Sequence, residues 1–261
     1  MPSTLPDGEP VPADGALPAG VRSALGLRPF SFYVHVPYCA SRCGYCDFNT
    51  YTAAELGGGA SQASYARDAI TEIEFARKVL DGAELPVDTV FFGGGTPTLL
   101  PVDDLAAMLR EIDEQFGLAP GAEVTIEANP ESVDAVSLAA LREAGFNRIS
   151  FGMQSERPHV LAVLERRHTP GLPQQRVVEA RAAGFEHVNL DLIYGTPAES
   201  DDDWRASLDA AVAASPDHIS AYSLIVEDGT RLARQVARGD LAAPDDDVLA
   251  DRQRHACGRV A

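Results

Sequence analysis

One pattern recurs along this sequence and narrows the folds open to it. A short run of β-branched or aromatic residues is followed by a Gly/Pro-rich turn and then by an amphipathic stretch, six times over. The strand-like runs are 32–36, 87–92, 123–128, 148–151, 187–192 and 219–224. The helical patterns between them are 64–80, 102–116, 137–144, 158–166, 174–183 and 202–214. Several of the helices end at a glycine, as Gly117, Gly145 and Gly184 do, where the chain can enter the left-handed region. Strand–helix units in series give parallel strands covered by helices, hence an α/β fold that is either a barrel or an open doubly wound sheet. Both architectures bind ligands at the carboxyl ends of the strands. There the sequence carries GGGTPT, NPES, GMQS and YGTP, after the second to fifth runs.

The 261 residues suffice for one barrel or two smaller domains. A formal charge of −18 repels nucleic-acid phosphates and anionic membrane surfaces, so neither is an expected partner. No apolar run reaches the roughly 18 residues of a membrane-spanning helix. Residues 1–28 are rich in Pro, Gly, Asp and Ala and lack the basic and apolar regions of a signal peptide, which predicts a disordered leader and residence in the cytoplasm. The last thirty residues offer helical patterns over 231–240 and 244–254 and then stop without a further strand, which predicts the incomplete start of another domain.

Four cysteines in such a chain, three of them within Tyr38-Cys39-Ala40-Ser41-Arg42-Cys43-Gly44-Tyr45-Cys46-Asp47-Phe48, point to metal rather than disulfides. The spacing is C-x3-C-x2-C, directly after the first strand. Three thiolates on one loop can ligate three irons of a [4Fe–4S] cubane and leave the fourth open to an exogenous ligand. Zinc is the rival, with His35 or Asp47 as fourth ligand, and a loop of free thiols is a further alternative. Tyr45, next to the last of the three, offers a ring for stacking on a base. Cys257 stands apart and reads as a free thiol. Among the histidines, His187 and His218 fall at strand starts, away from the ligand end, while His159, His168 and His255 read as exposed.

The stretch YVHVPYCASRCGYCDFNTY resembles the signature of the HemN/HemW family of radical S-adenosylmethionine (SAM) proteins. The likeness continues in family order through FFGGGTPTLL, TIEANPES, RISFGMQS, LERRHT, NLDLIYGTP and HISAYSLIVEDGT, over about residues 30–232. It implies a partial (β/α)6 barrel with parallel strands inside and helices outside over 29–230, and a C-terminal domain that begins at 231 and is missing. It implies a [4Fe–4S] cluster on Cys39, Cys43 and Cys46 with SAM on the open iron. Cleavage of SAM by one electron then requires a donor of the flavodoxin or ferredoxin type. By motif, the resemblance assigns Tyr33, Gly94 and Glu127 to the first SAM. Tyr45, Gly95, Thr96, Gln154, Arg166 and Asp191 match positions that hold a second SAM in the oxidases of the family.

Within the family, the oxygen-independent coproporphyrinogen III oxidases resemble C-x3-C-x2-C-x-C. Here the fourth cysteine is replaced by Phe48, the pattern of the HemW-type haem chaperones, as is the closing AYSLIVEDGT. The resemblance therefore implies a chaperone that passes haem to an acceptor. The alternatives are radical decarboxylation of coproporphyrinogen III and a degenerate metal-binding remnant. HemW-type proteins carry an HNxxYW-like haem motif beyond the barrel. This chain has none, and its single tryptophan is Trp204.

Overall fold

The computed structural model describes residues 12, 14–55, 62–80 and 82–260. Of the expected leader, residues 1–11 and 13 lie outside the described residues. Ala19–Arg22 forms one helical turn, α1.

Six parallel strands form one sheet: β1 (Phe30–Val36), β4 (Val87–Gly94), β5 (Leu118–Ala128), β6 (Arg148–Gln154), β7 (His187–Tyr194) and β8 (His218–Ser223). β2 (Tyr38–Cys39) and β3 (Tyr51–Thr52) pair in a separate two-stranded ladder at the cysteine loop. The order in the large sheet is β1-β4-β5-β6-β7-β8, each strand beside its successor in the chain. A doubly wound sheet reverses its order at a switch point, and this one never does. The right-handed crossovers therefore put every helix on the same face, as in a barrel. β1 and β8 remain the two ends of the sheet, which makes the barrel partial. The helices α2 (Gln62–Val79), α3 (Val102–Phe116), α4 (Ala135–Glu143), α5 (Pro158–Val163), α6 (Leu172–Ala183) and α7 (Asp201–Ala213) follow the strands in turn. No helix of the described residues is long and apolar enough to cross a membrane.

The strands read as near-continuous apolar runs because helices cover one face and the barrel interior the other. Val90, Phe92, Ile126, Ile149, Phe151, Val188 and Leu190 are fully buried. Helix starts are set by capping. Asp134 accepts from the Ser137 amide and the Ser137 hydroxyl oxygen accepts in turn from the Asp134 amide, so α4 begins before 137, at Ala135. Helix α5 stops at Val163, short of the expected 166, because Glu165 adopts a positive φ of 51° and turns the chain.

The expected boundary at residue 230 does not coincide with a break in packing. Beyond α8 (Arg231–Ala237), α9 (Asp246–Val260) docks against α7 and β8. Arg252 on α9 is buried. It donates to Glu199 Oε2 at 2.7 Å and to the Glu199 carbonyl at 2.5 Å, and its own carbonyl accepts from the Trp204 indole at 3.2 Å. Leu249 lies over Gly195, where a Cβ would come within 2.1 Å of its Cδ2. The glycine of the YGTP turn is thus required by the packing of α9.

Candidate functional site

The carboxyl ends of the strands surround a cavity of about 460 Å³. Three elements build its upper wall. β1 runs out at Val36, and the chain turns through Pro37 into β2 and the cysteine loop. The loop is fixed from several sides. The Arg42 guanidinium donates to the Thr50 carbonyl at 2.5 Å. The His35 Nε2 donates to the Asn49 carbonyl at 2.9 Å. The Gly44 amide donates to the Leu164 carbonyl at 3.0 Å, and the Gly44 carbonyl accepts from the Leu232 amide at 2.9 Å. The GGGTPT turn lies against the same segment, Gly95 N–H on the Val36 carbonyl and Thr96 N–H on that of Tyr38. A Cβ on Gly95 would stand 2.5 Å from the Tyr38 oxygen, so only glycine lets the two loops meet there.

Cys39, Cys43 and Cys46 are free, half-buried and all line the cavity. Burial pushes the Cys39 and Cys46 thiols up. Arg166 Nη1 lies 3.9 Å from the Cys43 sulfur. Among the described residues no group of three His, Cys, Asp or Glu side chains converges on one point fit for a metal ion. A tetrahedral zinc site needs such convergence, whereas a cubane takes each thiolate on a different iron. His35, one expected fourth ligand for zinc, is already engaged at both nitrogens, Nδ1 accepting from the Tyr33 hydroxyl at 2.9 Å. Three thiols on one loop, with one guanidinium beside them, offer one ligand to each of three irons of a cluster.

The floor of the cavity is acidic. Glu127 on β5 accepts from the Gly94 amide at 3.1 Å, and its carboxyl is pushed up to about 7, first by burial and then by Asp191. Asp191 on β7 is itself raised by burial, although Ser150 donates to it at 2.9 Å and Asn189 at 2.7 Å. The Asn189 amide is fixed from behind: its oxygen accepts from His218 Nδ1 at 2.6 Å and from Ser220 at 3.2 Å. A file of polar groups thus runs from the far end of the barrel, at His218, to the carboxylate facing the cavity. Arg166 lies across from these acids, donating to the Gly152 carbonyl at 2.8 Å. A cavity with guanidinium on one side and carboxylates on the other suits a zwitterionic ligand with hydroxyl groups.

The raised Glu127 gives a measurable pH dependence. Its folded value lies above the ordinary 4.5, so the fold favours the protonated acid. That contribution is fully present below about 4.5 and is lost as pH rises through about 7, amounting to roughly 3 kcal/mol. Urea unfolding of the cluster-free chain at pH 5 and pH 8 is expected to show this loss, and Glu127→Gln to remove most of it. Equal pH slopes in both proteins would rule the assignment out.

Of the residues the sequence singles out, Cys39, Cys43, Cys46, Tyr45, Gly94, Gly95, Thr96, Glu127, Gln154, Arg166 and Asp191 line this one cavity. Tyr33 does not. It is exposed, stacks on Phe91 and bonds His35. Gly94 has a reason beyond any ligand, since its φ is 109° and a Cβ would strike the His35 ring at 2.7 Å. Tyr45 is half-buried and packs on the small apolar cluster of Val160, Leu164, Ile193, Leu224 and Leu232. His168, expected at the surface, is half-buried, and desolvation together with Arg166 lowers it to about 4. Sequence reasoning missed Gly152, where a Cβ would meet Arg166 Nη2 at 2.6 Å and Gln154 Nε2 at 2.9 Å. It also missed Ser150 and Asn189. Gln154 itself takes a positive φ of 63° at an irregularity in the β6–β7 ladder, which turns its side chain to the cavity.

The radical SAM superfamily profile matches residues 33–211. The chain is 56% identical over 225 residues to heme chaperone HemW of Mycobacterium tuberculosis, covering 86% of this chain and 57% of that protein. It is 38% identical over 233 residues to heme chaperone HemW of Synechocystis, covering 88% and 55%. Among solved structures, coproporphyrinogen III oxidase (HemN) of Escherichia coli superposes with a TM-score of 0.79 at 25% identity, over 94% of this chain and 56% of that one. The chain thus spans little more than half the length of these relatives.

Proposed function

This chain belongs to the radical SAM superfamily, as a HemW/HemN-like member, and on that premise we propose that it is the cluster-bearing core of a HemW-type haem chaperone acting in the cytoplasm. The observation that carries this reading is Phe48. It lines the rim of the cavity and is exposed, at the position where the related oxidases resemble a fourth cysteine. In this reading Cys39, Cys43 and Cys46 hold the [4Fe–4S] cluster and leave one iron to SAM. When bound, the cluster and SAM supply one-electron cleavage of a sulfonium bond.

The protein's own part is to hold and orient. Arg166 offers a guanidinium to a carboxylate on the cluster side of the cavity. Glu127 and Asp191 accept from hydroxyl or ammonium groups at the floor, Asp191 in an orientation set by Ser150 and Asn189. Gly95 and Thr96 bring backbone close to the same space, and Gln154 adds an amide. Tyr45 and Ile193 keep one side dry. The partners are SAM, a haem or porphyrin ligand and a one-electron donor.

The test is an anaerobic incubation of the reconstituted chain with coproporphyrinogen III, SAM and a reductant. The expected result is a loaded cluster and bound SAM without decarboxylation. SAM-dependent release of carbon dioxide from coproporphyrinogen III would overturn the chaperone reading in favour of the oxidase.

A further inference from the structure

Resting on the cluster assignment above, we propose that the groove on the outer side of the cysteine loop is the docking site of an acidic one-electron carrier protein. The groove adjoins the ligand cavity, shares Ala40, Ser41, Arg166 and Arg167 with it, and has a volume of about 1050 Å³. One wall is Ala40, Ser41 and Arg42, the stretch of loop between the first two cysteines. A partner seated there is separated from the cluster by the thickness of that loop.

The charge of the groove runs against the charge of the chain. Over the whole sequence acids outnumber bases by 39 to 21. They crowd the outer helices: α3 carries Asp103, Asp104, Glu111, Asp113 and Glu114 against Arg110, and α7 carries Asp201, Asp202, Asp203 and Asp209 against Arg205. Around the groove, Arg42, Arg167 and Arg231, with Arg166 shared with the ligand cavity, meet two carboxylates among the described residues, Glu55 and Glu165. Arg42 lies 3.8 Å from Glu55 and Arg231 lies 2.7 Å from Glu165. Arg166 and Arg167 have no carboxylate partner among the described residues. An acidic protein is therefore repelled by α3 and α7 and attracted at the cysteine loop, so charge alone selects the approach that shortens the electron path. The Arg231–Glu165 pair is mostly exposed on the arginine side, so exchanging it for a partner's carboxylate costs little. The step balances as a single transfer: the carrier's reduced flavin or iron–sulfur centre is oxidised by one electron, and the cluster is reduced by one.

The experiment measures binding of oxidised bacterial flavodoxin to the reconstituted chain by titration calorimetry. Arg231→Glu, which reverses one charge at an exposed helix start, is expected to weaken binding about tenfold. Glu55→Gln removes one carboxylate while keeping its hydrogen-bond acceptor for Thr52, and is expected to strengthen binding several-fold. Raising NaCl from about 50 to about 300 mM is expected to weaken it in every case. Arg231→Lys should restore most of the affinity. Iron content and reduction by dithionite, which needs no docking, should be the same in all variants. Unchanged affinity in Arg231→Glu and Glu55→Gln, or no flavodoxin binding by a chain whose cluster dithionite reduces, overturns the docking site and leaves the cluster assignment intact. A chain that holds no cluster overturns that assignment, and the docking inference with it.

Discussion

Reconstituted without oxygen, a Cys43→Ala chain is expected to retain less than about a tenth of the iron held by the unaltered chain, because each thiolate of a three-cysteine site carries one iron and no spare ligand replaces it. The neighbourhood gives no substitute. Asp47 lines the same cavity but offers a hard carboxylate oxygen where a cluster iron takes a thiolate, and His35 is bonded at both nitrogens. The loss of Cys43 also strips Arg166 of the sulfur 3.9 Å away, leaving a guanidinium facing the cavity without its anion. Cys257 is the internal control. It is exposed on α9, outside the cavity lining, and Cys257→Ala should keep full iron. Iron and sulfide analysis with visible absorbance reads both. Full iron in Cys43→Ala, or loss in Cys257→Ala, would remove the cluster from this loop.

The second large effect concerns stability. Arg252→Ala leaves the Glu199 carboxylate buried with no counter-ion, and burial already pushes that carboxyl up despite the arginine beside it. Removing one partner of such a pair costs about 3 to 5 kcal/mol. The alanine should therefore shift the urea midpoint strongly downward. The double variant Arg252→Met with Glu199→Gln, which buries no lone charge, should recover a large part of the loss. If Arg252→Ala unfolds at the same urea concentration as the parent, α9 is not a structural part of the barrel.

Much of the architecture is legible in the sequence because parallel barrel strands are local, periodic and buried on both faces. The six runs and the turns after them fall where the strands and the cavity do, and all three cluster cysteines reach one cavity. What escaped depends on pairing between segments distant in sequence. The bonds of Ser150 and Asn189 to Asp191 exist only in the register that sets β6 beside β7 and β7 beside β8. The place of α9 is invisible for a similar reason. Its sequence is strongly polar, with three aspartates and three arginines, and Arg252, Leu249 and Ala256 are the residues that reach the interior. Ser137 looked like a helix start because it is one half of a capping box whose other half, Asp134, comes three residues earlier. Tyr33 shares a face of the sheet with Phe91 and Glu127, and its ring is exposed there beside Phe91 and His35 rather than lining the cavity.

The hold on Gly44 has a consequence in time. Its amide is bonded to the end of α5 and its carbonyl to the start of α8, segments that a ribosome releases long after the cysteines. While the chain is being made, the loop has neither clamp, and its three thiols are free to meet oxidants, stray metals or one another. Metal delivered early therefore meets an unshaped site, and metal delivered late meets a formed one. For this protein, maturation is a matter of order: segments translated later finish the seat that earlier ones began.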